Sequence, residues 1–96
     1  MRQLADFSGR VVLVGGCAAG IGRATALAFA RAGAQLVLAD IDAPRGEALA
    51  REIAGFASAP LFHQVDLTDP DGVAALFGRI ADRFGRLDCA HNNAGF

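Results

Sequence analysis

Apolar residues gather in four short runs, at residues 11–14 (V-V-L-V), 35–40 (Q-L-V-L-A-D), 61–65 (L-F-H-Q-V) and 87–92 (L-D-C-A-H-N). Between the runs they recur at helical spacing. A continuous apolar run of this length suits a strand buried on both faces, as in a parallel sheet covered by helices. Ile21, Ala24, Ala28 and Ala32 predict one face of a helix over 20–32, closed by Gly33 at its C-cap. Asp42 is placed to cap a second helix, with Pro44 tolerated in its first turn. Leu49, Ile53 and Phe56 follow at i, i+4, i+7, Glu47 and Arg51 form a solvated i, i+4 pair, and Gly46 weakens the helix by about 1 kcal/mol relative to alanine. A loop spans 55–60.

The third helix is the best marked. Thr68 and Asp71 match a capping box, with Pro70 in the first turn. Val73, Leu76, Phe77, Ile80 and Phe84 form its stripe, Arg83 suits the negative end of its dipole, and Gly85 ends it. His63 and Gln64 place the third run at a sheet edge, and Phe7 is expected to pack under the first helix or strand. The order is β-α-β-α-β-α-β with short connections. It predicts an α/β fold: one Rossmann-type parallel sheet with helices on both faces and strand order 3-2-1-4, in a single domain over 1–96.

Composition narrows the picture. A hydrophobic fraction of 53% supports a packed core, and a net charge of −1 without a basic stripe argues against nucleic acid as a partner. No apolar run approaches the roughly 20 residues of a membrane span, and the first residues lack a signal-peptide pattern, so a soluble, cytoplasmic protein is expected. Cys17 and Cys89 fit neither a C-x-x-C nor a zinc spacing, and no metal site is expected. In the predicted layout they lie about 13 Å apart along their strands, beyond the roughly 7 Å that a disulfide spans, so both are read as free thiols.

The candidate chemistry begins where the first strand meets its glycines, V-V-L-V-G-G-C-A-A-G-I-G. Gly16, Gly20 and Gly22 keep side chains away, so backbone N–H groups and the positive end of the helix can meet a pyrophosphate. An ordinary tight turn would also use glycines. Asp40 adds weight, 18 residues after Gly22 at the end of the second strand, where a carboxylate can accept both hydroxyls of a ribose. Asp66 and Leu67 fall at the end of the third strand, on the same sheet edge. A triphosphatase phosphate loop needs G-x-x-x-x-G-K-[ST], but Ile21 and Gly22 follow Gly20 and the chain has no lysine. His63 and His91 are read as structural. Cys17, in a glycine loop at a helix N-terminus, sits where a thiol pKa can fall.

The stretches F-S-G-R-V-V-L-V-G-G-C-A-A-G-I-G-R-A-T-A, L-A-D-I-D, V-D-L-T-D and L-D-C-A-H-N-N-A-G together resemble consecutive landmarks of the short-chain dehydrogenase/reductase family. The resemblance covers essentially the whole chain. It implies that the glycine loop holds the pyrophosphate, that Ile21 gives a backbone contact and that Asp66 meets the adenine. It also implies that Asn93, Ala94 and Gly95 lie along the adenosine ribose and steady the sheet. Cofactor choice in the family follows the end of strand two. Here that position is Asp40 followed by Ile41, and Ala19 stands where NADP enzymes often carry arginine, so NAD is favoured over NADP. One position departs: the family's threonine is Gly15, which implies a less firmly tied loop and weaker binding.

The family's reaction is hydride transfer between a nicotinamide and an alcohol or carbonyl carbon, with a Tyr-x-x-x-Lys segment as the acid–base group. This chain has neither tyrosine nor lysine. It is therefore expected to be the cofactor-binding portion of such an enzyme, with no catalytic residue of its own and no turnover alone. A free-standing, non-catalytic NAD-binding or interaction module, and a truncated reading frame without a stable product, stand as alternatives. The substrate is not legible. Without a fifth strand beside the fourth, an exposed sheet edge predicts self-association. The resemblance also implies a homo-oligomeric parent enzyme.

Overall fold

The computed structural model describes residues 6–93. The elements in chain order are β1 (Val11–Gly15), α1 (Gly20–Arg31), β2 (Gln35–Asp40), α2 (Ala43–Ala54), β3 (Leu61–Gln64), α3 (Pro70–Phe84) and β4 (Cys89–Asn92). All pairings are parallel and the strand order is β3-β2-β1-β4. This is the Rossmann-type arrangement that the alternation predicts, with β3 at an edge as its polar residues require.

Strand alternation divides the core in two. Val12, Val14, Leu36 and Leu38 pack with Ala26, Leu27, Ala30, Leu49 and Ile53 on the face covered by α1 and α2. Val11, Leu13, Val37 and Ala39 pack with Leu61, Val65, Leu76 and Ile80 on the face covered by α3. β1 is buried throughout because it has a strand on each side and a helix on each face.

Several local expectations are corrected. The buried face of α1 carries Gly22, Ala26, Leu27 and Ala30, whereas Ile21 is 77% exposed. Apolar residues surround this alanine-rich helix, so their spacing does not choose a face; close contact between Gly22 and the loop does. Phe56 lies beyond α2 and stays half exposed, with the Arg31 guanidinium 5.9 Å over its ring. Glu47 and Arg51 are not paired; α2 instead pairs Glu52 with Arg23 of α1 and is capped by Asp42, which accepts from the Arg45 N–H. Gly46 is a packing requirement rather than only a weakness, because a β-carbon there would fall 2.1 Å from the Phe62 ring.

The α3 cap is Asp69, one residue later than expected, and it accepts from the Asp71 N–H at 3.1 Å. Thr68 turns back instead, donating its N–H and hydroxyl to Asp66. Gly85 adopts the left-handed conformation that ends α3, with φ of 72°. Phe7 packs edge-on against Phe29 of α1, their ring centroids 4.9 Å apart.

β4 differs from its neighbour. Cys89 is half-buried and Ala90, His91 and Asn92 are exposed, because no strand among the described residues pairs with its outer edge. No helix among the described residues is long and apolar enough to cross a membrane.

Candidate functional site

The C-terminal ends of parallel strands point to one edge of the sheet, where the connecting loops leave a crevice. Here β1 runs through Gly15 into a loop with left-handed glycines at Gly16 (φ 70°) and Gly20 (φ 60°). Gly22 lies under that loop: a β-carbon on it would stand 1.8 Å from the Gly16 carbonyl oxygen. Nothing lies within 4 Å of the equivalent position on Gly20, so the loop's outer side is open to a ligand's approach.

α1 starts from Ala19 with no side-chain cap and no acid in its first turn, whereas α2 and α3 are capped by Asp42 and Asp69. Its first-turn N–H groups therefore lack the usual internal acceptor. Together with the helix dipole, they form a place for an anion.

A cleft of about 260 Å³ lies beside the loop, lined by Gly16, Asp40, Ile41, Asp66, Leu67 and two neighbours. Five of the residues singled out in the sequence thus meet in one crevice at the ends of β1, β2 and β3. Gly20 is outside it, in a separate depression with Ala18, Ala19 and Arg23. Ile21 and Gly22 line neither. Ile41 is 64% exposed, which leaves an apolar side chain at the cleft's rim.

Asp40 holds two backbone donors. One carboxylate oxygen accepts the Ala18 N–H and the other the Asp42 N–H, both at 2.9 Å. Asp66 is exposed, and its bonds from Thr68 hold its carboxyl below the usual carboxylate range.

Asn93 completes the edge: its N–H donates to the Gly15 carbonyl at 2.9 Å. Its side-chain Nδ2 is buried without a hydrogen-bond partner among the described residues. Ala94 and Gly95 lie outside the described residues.

The thiol expectation fails in one respect. Cys17 and Cys89 are both free, but Cys17 is fully buried. Burial, followed by the nearby Asp40 charge, pushes its pKa up to about 12, so the glycine loop shelters a neutral thiol rather than activating one. His91 is exposed on β4 with its ring 5.8 Å from Phe29. The His63 pKa is lowered, first by burial and then by Arg79, whose guanidinium lies 3.1 Å from Nδ1. Neither histidine lines the cleft. No cluster of candidate metal ligands occurs among the described residues.

Sequence reasoning did not single out a larger apolar groove of about 520 Å³ between α3 and β4. Leu13, Val73, Phe77 and Ala90 are among its walls. The polarity of the fourth run was its signal in the sequence, since Asp88, His91 and Asn92 make that run the most polar of the four.

The model of the short chain dehydrogenase family matches residues 10–96. This chain belongs to the short-chain dehydrogenase family. Among curated relatives, the L-fucose dehydrogenase of Oryctolagus cuniculus is 45% identical over 95 residues, which are 99% of this chain and 32% of that protein. The chain thus spans about a third of that protein's length. Among solved structures, L-sorbose reductase from Gluconobacter frateurii, complexed with NADPH and L-sorbose, is 35% identical with a TM-score of 0.88. That match covers 95% of this chain and 35% of the reductase. A metagenomic short-chain oxidoreductase in complex with NADP is 36% identical with a TM-score of 0.88, covering 94% and 41%. Short-chain dehydrogenases bind NAD or NADP.

Proposed function

We propose that this chain is the dinucleotide-binding portion of an NAD-dependent oxidoreductase that moves hydride between NAD and an alcohol or carbonyl compound. The observation that carries the reading is the single cleft in which Gly16, Asp40, Ile41 and Asp66 meet beside an uncapped helix. The fit is chemical as well as spatial. Gly22 admits no side chain, Gly20 faces open space, and the buried Asn93 Nδ2 is a donor suited to a ribose oxygen.

In this reading the loop N–H groups and Ile21 backbone bind pyrophosphate. Asp40 and Ile41 receive the adenosine ribose, Asp66 and Leu67 flank the adenine, and Asn93-Ala94-Gly95 borders the ribose. When bound, the nicotinamide supplies the carbon that takes or gives hydride. None of the chain's own described residues at the cleft is assigned a proton-transfer role. With no tyrosine and no lysine in its 96 residues, the chain alone should bind without turnover. A non-catalytic NAD-binding module is the second reading, favoured by that same absence. Dehydrogenase turnover by the pure chain, surviving replacement of both histidines and both cysteines, would exclude it and overturn the first reading's division of labour.

NAD is preferred over NADP because Asp40 would face the 2′-phosphate. Unit charges about 4 Å apart interact by about 4 kcal/mol at an effective dielectric near 20, and solvent at an open strand end reduces this. A preference of about 1–3 kcal/mol, roughly ten- to a hundredfold, is expected. Calorimetric titration of wild type and Asp40→Ala with both nucleotides tests it. NAD should weaken and the gap to NADP should narrow; an unchanged ratio would remove Asp40 from the cofactor site.

The open β4 edge and the apolar groove beside it favour self-association of this chain. Sedimentation should show concentration-dependent species, and a monomer at high concentration would refute this.

A further inference from the structure

The hydrogen bond from the Ala18 N–H to Asp40 spans 22 residues and joins the turn after β1 to the end of β2. Main-chain pairing of these strands ends with Gly15 opposite Ala39, followed by the Gly16 N–H donating to the Ala39 carbonyl at 2.8 Å. Backbone pairing between the two strands ends there, and the Asp40 side chain carries the ladder one step further. Gly15 has no side chain to help, and the left-handed Gly16 gives the loop little resistance of its own.

We propose that Asp40 is the clamp of the glycine loop, a positioning residue that fixes the loop and its own carboxylate before any nucleotide arrives. A turn-forming aspartate would need only the local bond to the Asp42 N–H. The second bond, across the crevice, is what makes it a clamp.

Each carboxylate oxygen can accept two hydrogen bonds. With one site on each oxygen taken by backbone, the remaining acceptors of Asp40 are held as a fixed pair beside the cleft that it lines. On the reading of that cleft as a dinucleotide site, this makes the position selective. An unclamped aspartate could rotate away from a 2′-phosphate, but this one must release Ala18 and Asp42 to do so.

The test uses the whole chain without nucleotide, so a protein that failed to bind NAD would leave its outcome intact. In wild type the Ala18 amide should exchange with solvent at least about tenfold more slowly than the Ala19 amide, as expected for a bond to a charged acceptor. Its proton resonance should lie downfield. Asp40→Asn retains an oxygen for one donor only, and Asp40→Ala retains none. In Asp40→Ala the Ala18 resonance should move upfield and its exchange should speed by about tenfold or more. Asp40→Asn should do the same at whichever of Ala18 and Asp42 loses its acceptor.

Ile80→Val, in the core on the opposite face, should lower stability without moving the Ala18 resonance. Equal exchange of Ala18 and Ala19 in wild type would overturn the clamp even if the variants did not fold. Unchanged Ala18 exchange in folded Asp40→Ala would overturn it as well.

Discussion

The α-hydrogen side of Gly22 faces the carbonyl of Gly16 so closely that a β-carbon would stand 1.8 Å from that oxygen. The loop and the first turn of α1 therefore occupy each other's side-chain space. Gly22→Ala should lose about 3 kcal/mol or more, because backbone rather than a movable side chain must yield. At Gly15 the nearest obstacle is the tip of Leu67, at 2.9 Å, and the backbone lies in a strand. Gly15→Ala should stay within about 1 kcal/mol of wild type. Urea unfolding followed by circular dichroism compares the two, and similar losses would contradict this account of the loop.

Gly46→Ala sets helix propensity against packing. Alanine gains about 1 kcal/mol in a helix interior, but its methyl would enter the Phe62 ring. Overpacking costs about 1–3 kcal/mol, so a net loss of about 1 kcal/mol is expected. In a Phe62→Leu background the same change should become stabilising. A double-mutant cycle with no coupling would refute the contact.

Cys17 gives the alkaline limb of stability. Its folded pKa is raised to about 12 from 9.0, so the neutral thiol is the form that the fold favours. Between these values the unfolded chain releases the proton and the folded one keeps it, and stability falls as pH rises. The contribution is fully present below about pH 9 and declines by at most about 1.4 kcal/mol per pH unit above it. With no tyrosine or lysine in the chain, few other side chains titrate in this window. Cys17→Ala should flatten the decline between pH 9 and 11; an identical slope would show that Cys17 is not its source.

Element order, strand order and the cleft were legible because they rest on strong local signals. Apolar runs stop at glycine or aspartate, and parallel strands bring those stops to one edge. What escaped depended on distant contacts. The face of α1 was set by Gly22 against Gly16, not by its many alanines. Asp69 rather than Thr68 caps α3, because Asp66 holds Thr68 in a turn of its own. Cys17 was read from its place at a helix N-terminus, but the overlying loop and Asp40 reverse its chemistry. The double engagement of Asp40 could not be read from spacing at all.

Strand β1 lies inside the sheet but comes first in the chain, and its two neighbours arrive at very different distances. Val11 pairs with Gln35, 24 residues on, whereas Val12 pairs with Cys89, 77 residues on. Closing the longer loop costs about 1 kcal/mol more in chain entropy, and β4 returns less buried surface for it. Docking of β4 is thus the expected late event of folding, after β1, α1 and β2 have formed a nucleus. Ala90→Gly should quicken unfolding in stopped-flow experiments and leave the refolding rate nearly unchanged; a slowed refolding limb would place β4 in the transition state. The crevice of β1, β2 and β3 is then assembled from contiguous chain, and can exist before the fourth strand has taken its place.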